Sequence, residues 1–261
     1  MSSCSDCVLK CEAASTFTTL GAKKKTQTAH EYLVALVGNP NTGKSTVFNE
    51  LTGLHQHTGN WPGKTVARAE GFFKAHGQHF RIVDLPGTYS LLANSVDEEI
   101  ARDFVLFSKP QCTIVVCDST MLERNLQLVL QVIEITDRVV VCLNLLDEAN
   151  RKGISIDAGI LATELGVPVI ATTARSGNGL SELVDCVYKV CSGALVPKPL
   201  HRPLDSSIEP SVVKLSGLIQ AEFPQLHCSR WIALRLLEGD ARIEKAMCDG
   251  TLGRLAVSEI V

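Results

Sequence analysis

The stretch Gly38-Asn39-Pro40-Asn41-Thr42-Gly43-Lys44-Ser45 decides the fold. It fits G-x-x-x-x-G-K-[ST], the phosphate-binding loop, and its neighbours suit it. The apolar run Tyr32–Val37 precedes it, and the helix-like STVFNEL, which begins Ser45-Thr46, follows. A glycine-rich turn lets successive backbone N–H groups face inward and form an anion-binding concavity. The next helix points its positive end at the same place. There Lys44 reaches the β- and γ-phosphates and the Ser45 hydroxyl coordinates Mg²⁺.

Outward from this loop, short apolar runs alternate with helical patterns. Tyr32–Val37, Cys112–Cys117, Val139–Leu143 and Val167–Ala171 read as strands buried on both faces, as a parallel sheet requires. Helices are expected at Ser45–Leu51, Val96–Ser108, Met121–Ile135, Asp157–Leu165 and Gly179–Val190. Thr65–Phe73 and His79–Leu85 flank His76-Gly77 and read as an antiparallel hairpin. The pattern is a doubly wound α/β sheet, mostly parallel, with one antiparallel edge strand. His55–Gly63 (HQHTGNWPG) is aperiodic and reads as a loop.

Proline-rich Val196–Pro210 breaks the pattern. Beyond it Val212–Phe223, Arg230–Leu237, Arg242–Met247 and Leu252–Val261 read as helices of a small appendage that has little core of its own. The organisation expected is a tail over 1–30, an α/β domain over 31–195, and a linker with a helical unit over 196–261. The tail carries Cys4, Cys7 and Cys11 and the basic run Lys23–Lys25. C-x₂-C-x₃-C suits zinc or an iron–sulfur cluster, but a fourth ligand is lacking nearby, so incidental thiols in a poorly ordered terminus are the better reading.

The chain has 261 residues, 45% apolar and 20% charged, which excludes an intrinsically disordered chain. Net charge is −3, with no global attraction to nucleic acid or anionic lipid. Ten cysteines, several inside apolar runs, read as buried free thiols of a reducing cytosol rather than as a disulfide framework. No run approaches the roughly eighteen apolar residues of a membrane span.

Three downstream motifs narrow the ligand. Asp84-Leu85-Pro86-Gly87 ends a strand; its Asp can hold Mg²⁺ and its Gly N–H can meet a γ-phosphate. Asn144-Leu145-Leu146-Asp147 ends another, and the Asp147 carboxylate can accept from guanine N1–H and the 2-amino group, which adenine does not offer in that arrangement. Thr172-Thr173-Ala174 follows the last strand, where a backbone N–H can approach the base O6. The residue after Gly87 is Thr88, not a water-orienting Gln, so turnover is expected to fall far below the roughly 1–100 s⁻¹ of kinases.

Together with Thr58-Gly-Asn-Trp-Pro-Gly-Lys-Thr65, these motifs resemble the translation-factor-like GTPases and, more closely, the cytosolic amino-terminal domain of the FeoB family of ferrous iron transporters. The resemblance runs from about Tyr32 to Glu259 and takes in Arg230-Trp-x-x-Leu-x-Leu-Leu-Glu-Gly239. It implies a GTPase coupled to Fe²⁺ uptake through a carboxyl-terminal membrane region of the same gene product. This part would be a soluble fragment on the cytoplasmic side of the bacterial inner membrane. It also implies Mg²⁺ bound by Ser45, Asp84 and, in the GTP state, Thr65, and a helical domain that strengthens GDP binding. An activating K⁺ would be held by Asn41 and by carbonyls of Gly59 and Trp61. Lys44, Thr65 and Gly87 would carry catalysis, with Gly63 and Lys64 lining the nucleotide. Two departures matter: Leu145 stands where most GTPases have Lys, in keeping with the resembled family but with one packing element over the base removed, and Lys64 stands where that family often has an apolar residue. A solvated Lys64 is the plainer reading; near the phosphates it would alter the need for potassium.

Trp231 reads as core of the helical unit, His55 and His57 as exposed loop residues, and Glu98, Glu99 and Asp103 as a solvated helix face. Rival functions are an RNA-linked GTPase of ribosome assembly or tRNA modification, disfavoured by the net charge, and a GDP/GTP-sensing module with incidental hydrolysis. No nucleic-acid partner is expected, and a homo-oligomer is left open.

Overall fold

The computed structural model describes residues 31–53, 56–61, 64–92, 95–201, 203–226 and 228–250. Seven strands form one sheet: β1 (Glu31–Gly38), β2 (Gln56–Asn60), β3 (Ala67–Ala75), β4 (Gln78–Asp84), β5 (Cys112–Asp118), β6 (Val139–Asn144) and β7 (Val169–Ala171). Their order is β2-β3-β4-β1-β5-β6-β7. β4, β1, β5, β6 and β7 pair in parallel, while β3 runs against both β2 and β4. The helices are α1 (Lys44–Thr52), α2 (Val96–Phe107), α3 (Leu122–Ile133), α4 (Leu146–Arg151), α5 (Ala158–Leu165), α6 (Leu180–Cys191), α7 (Glu209–Glu222), α8 (Ser229–Leu237) and α9 (Ala241–Cys248).

Two cores follow from the period-two geometry of β1. Ala35 and Val37 face one way, into a core with Phe104 of α2, Leu128 of α3 and Trp231 and Ile232 of α8. Val34 and Leu36 face the other way, against Val47 and Phe48 of α1 and Leu183 and Val187 of α6. All four β1 side chains are fully buried, which is why the strand shows no polar alternation. The helices after residue 208 therefore share the first core, and Trp231, expected in a core of the helical unit, lies buried in this shared one.

Local chemistry marks the element ends. Ser95 caps α2 by accepting from the Glu98 N–H, and Asp157 caps α5 through the N–H groups of Gly159 and Ile160. Gly71 sits where β3 passes under α1; a Cβ there would meet the Thr52 methyl at 2.3 Å. Cys112, Cys117, Cys142, Cys186, Cys191 and Cys228 are buried free thiols. Burial pushes Cys142 and Cys228 up to about 12, which makes them packing groups rather than nucleophiles. Among the described residues, no helix is long and apolar enough to cross a membrane.

Two expectations are corrected. Gln56–Asn60 is not a loop but the edge strand β2, so the antiparallel β3 is covered on its outer side. Residues 57–60 are exposed, and an edge strand held by backbone hydrogen bonds needs no apolar periodicity. The acidic face of α2 is not simply solvated. Glu99 pairs with Lys64 at 3.0 Å, and Asp103 pairs with the buried Arg102 at 2.7 Å. Burial holds the Asp103 carboxyl above its usual range, with Arg102 opposing. The readings of Cys4, Cys7, Cys11, Lys23–Lys25, His55, Gly63 and the 252–261 helix lie outside the described residues.

Candidate nucleotide site

The loop between β1 and α1 lies directly on the sheet. A Cβ at Gly38 would come within 2.8 Å of the Val116 carbonyl of β5, so only glycine lets the backbone pass. Asn41 (φ 67°) and Gly43 (φ 79°) take left-handed conformations that fold the chain back, and Thr42 Oγ1 closes the turn on the Asn39 carbonyl at 3.0 Å. Residues 39–41 and 43–46 with Gly87 line a cleft of about 420 Å³. The opening of α1 points into it.

Lys44 Nζ bonds the Asp84 carboxylate and the Leu85 carbonyl, the latter at 2.7 Å. Burial raises the Asp84 carboxyl from its ordinary range, and the Lys44 charge works against that. A second cation beside Asp84 would do the same, while Lys44 is freed for an anion. The Asp84–Gly87 turn is pinned by Leu85 N–H on the Leu36 carbonyl (3.0 Å) and Thr88 N–H on the Gly38 carbonyl (3.2 Å). Gly87 rests on Pro40; even a Cβ there would lie 3.4 Å from the Pro40 backbone.

Asn144 joins this half to the other. Its Nδ2 donates to the Thr42 carbonyl at 3.0 Å; its Oδ1 accepts from the Ala174 N–H (3.0 Å) and from Thr172 Oγ1 (3.2 Å). Asn144 is buried, and its side chain ties the phosphate loop to the loop after β7. Leu145 takes a left-handed φ of 61° just ahead of α4, and Asp147 is half-exposed and paired with the exposed Arg151 at 3.3 Å. The Thr172 N–H bonds the Leu143 carbonyl and the Thr173 N–H bonds the Asn178 carbonyl. All three N–H groups of Thr172–Ala174 are thus engaged inside the protein. Ala174 bonds a side chain, so a rotation of Asn144 releases it.

The switch-loop residues lie elsewhere. Gly59 pairs with Arg68 in β2–β3, and Thr58 aligns through Ala69 and Asp84 with Leu36. Three strand spacings separate Thr58 from Leu36, about 14 Å. Trp61 is buried in the first core, Thr65 is exposed ahead of β3, and the Lys64 amine is on Glu99. Asn41, Gly59 and Trp61 are therefore not brought together in this conformation.

Asn39, already placed in the phosphate loop by the sequence, has both polar carboxamide atoms buried without a hydrogen-bond partner among the described residues. Two further residues have parts that the sequence reading missed. Ser119 Oγ donates to the Asn144 carbonyl at 2.5 Å, and Gln131 Oε1 accepts from the Leu91 N–H at 2.6 Å. Ser119 follows Asp118 at a strand's carboxyl end, a position that could have drawn notice. Gln131 carries no local signal, because its partner lies forty residues away.

Such a cleft at the carboxyl ends of β1 and β4, wired through Asn144 to an Asp147 loop, defines the class: a P-loop protein of the Ras-like GTPase fold. The family model described as ferrous iron transport protein B matches residues 32–187, and that of the FeoB cytosolic helical domain matches 205–258. The chain belongs to the FeoB family of ferrous iron transport proteins. It is 38% identical over 233 residues to the Fe(2+) transport protein A/Fe(2+) transporter FeoB fusion protein of Porphyromonas gingivalis, covering 88% of this chain and 28% of that protein. Against the Fe(2+) transporter FeoB of Methanocaldococcus jannaschii, identity is 42% over 215 residues, covering 82% and 32%. The chain thus spans about a third or less of these relatives. The cytosolic domain of the T. maritima FeoB iron transporter in a GDP form superposes with a TM-score of 0.77 at 34% identity, covering 88% of each chain. That of L. pneumophila FeoB gives 0.75 at 39%, covering 87% of this chain and 90% of that one.

Proposed function

We propose that the chain binds GTP and GDP in the Gly38–Ser45 cleft and hydrolyses GTP slowly, at roughly below 1 s⁻¹. Through this cycle it regulates Fe²⁺ uptake by the membrane region that full-length relatives carry. The observation that supports this best is the Asn144 tie, in which one buried side chain between β6 and Asp147 hydrogen-bonds both the phosphate loop at Thr42 and the loop after β7 at Ala174. Residues 31–195 form the nucleotide-binding unit and 196–261 the linker and helical unit in this reading. The deciding experiment is guanine-nucleotide binding and single-turnover hydrolysis with Mg²⁺, with and without K⁺, in this chain and in the full-length protein. Hydrolysis that never rises above background would favour a GDP-sensing module. Salt-dependent RNA binding would favour the RNA-linked alternative.

The donors suit a hard cation. The Ser45 hydroxyl and the partly buried Asp84 carboxylate offer oxygen ligands, and Thr65 would join them once the switch segment closes. Mg²⁺ there would neutralise charge developing on the transferring phosphoryl group. Thr65→Ala is expected to slow hydrolysis about a hundredfold, the scale of losing one transition-state contact. GDP affinity should stay within about twofold, as for a surface substitution. Equal losses in both assays would make Thr65 structural.

K⁺ would sit between the exposed Asn41 side chain and the Gly59 and Trp61 carbonyls, which requires the β2 end to leave the sheet edge. Asn41→Ala should remove potassium stimulation while nucleotide affinity changes by no more than about twofold. Comparing hydrolysis in K⁺ and Na⁺ checks this; stimulation that persists rules Asn41 out as the ligand.

A further inference from the structure

Trp61, Lys64 and Glu99 make a set of contacts that the nucleotide cleft does not use. Trp61 is 4% exposed. Its ring meets Phe104 of α2 edge-on at 5.6 Å, and the Arg68 guanidinium stacks over it at 5.0 Å. The Trp61 N–H donates to the Val66 carbonyl and the Lys64 N–H to the Trp61 carbonyl, both at 3.0 Å. The latter contact occupies one of the two lone pairs of the carbonyl that the potassium reading requires. It also aims Lys64 at α2, where Nζ reaches Glu99 Oε2 at 3.0 Å.

The seat is well held yet imperfect. The indole Nε1 of Trp61 is buried with no hydrogen-bond partner, so leaving the seat recovers a bond that staying forgoes. The ion pair is about one-third exposed on each side and weak by nature, which suits a contact that must break. The Lys64 bond holds the Glu99 carboxyl below its ordinary range. Arg102 and Arg242 contribute in the same direction, and Arg242 opens α9 of the helical unit. Glu99 lies on α2, whose Ile100 and Phe104 share the first core with Trp61 and with Trp231 of α8.

We propose that Lys64 and Glu99 are a positioning pair that clasps the Thr65-bearing segment to α2 and sets how readily that segment leaves for the phosphate cleft. The proposal rests on the reading of Thr65 as a GTP-state ligand. It assigns Lys64, the residue that departs from the family pattern, a part in neither the cleft nor free solvent.

Lys64→Glu, Glu99→Lys and the double swap test it. Hydrogen exchange of the Trp61 amide in the nucleotide-free protein should quicken at least about twofold in each single variant, the lower range for an exposed pair now turned repulsive. Affinity for a non-hydrolysable GTP analogue should rise relative to GDP by a similar factor. The double swap should restore both. Unchanged exchange in the single variants, or no restoration by the swap, overturns the clasp. Faster exchange with an unchanged affinity ratio overturns its part in switching. A misfolded variant shows itself by losing GDP as well; Lys64→Gln and Glu99→Gln then repeat the comparison without a repulsive pair. The exchange measurement needs no nucleotide, so it stands apart from the Thr65 reading, which fails in its own hydrolysis assay.

Discussion

Asp147→Asn is expected to weaken GTP binding about a hundredfold and to make xanthosine triphosphate the better ligand. A carboxylate accepting from guanine N1–H and the 2-amino group makes two charge-assisted bonds, and hydrogen bonds to charged groups contribute about 1.5–3 kcal/mol. An amide can accept only one of those protons and turns an N–H toward the other. Xanthine offers an oxygen where guanine has the amino group, so the same amide suits it. Folding should change little. Asp147 is 49% exposed at its side chain, and its partner Arg151 is 71% exposed, a pair that stabilises weakly in water. Competition of GTP and xanthosine triphosphate for a fluorescent GDP, alongside a melting curve, checks this. Unchanged GTP affinity would sink the base-reading assignment.

Asn144→Ala should do the opposite, lowering stability and all nucleotide affinities together. Truncation removes a donor to the Thr42 carbonyl and an acceptor from Ala174 N–H and Thr172 Oγ1. Thr42, Thr172 and Ala174 are buried, so water does not replace what is lost. Each stranded polar group costs about 1–3 kcal/mol, and shared relaxation brings the total to about 3 kcal/mol. A domain of this size then melts roughly 10 °C lower. GTP and GDP should weaken by similar factors, because the phosphate loop loses its brace whichever nucleotide it holds. A selective loss of GTP with an unchanged Tm would show that Asn144 reads the ligand directly. The two variants separate recognition from wiring at positions three residues apart.

The phosphate loop, the hairpin and the alternation of strands and helices were legible because each rests on local rules. A buried parallel strand must be continuously apolar, as Val34–Val37 is, and a left-handed turn favours glycine, as at Gly43. Helix starts at Ser95 and Asp157 announce themselves through their capping side chains. β2 was not legible, since an edge strand paired through backbone groups leaves its side chains free to be polar. Nor was the part played by Asn144. Its motif suggested a base contact, and only the placement of Thr42 and Ala174 shows the side chain spent on holding loops together.

By itself the sequence determined the strands other than β2, the phosphate loop and guanine as the expected base, because each depends on residues within a few positions of one another. Tertiary structure decided which polar groups are already taken. Lys44 rests on Asp84, Ala174 N–H on Asn144, the Trp61 carbonyl on Lys64 N–H, and Lys64 Nζ on Glu99. Hydrogen-bond capacity is finite and its partners lie far apart in sequence, so a motif can name a ligand while only the fold shows what must first let go.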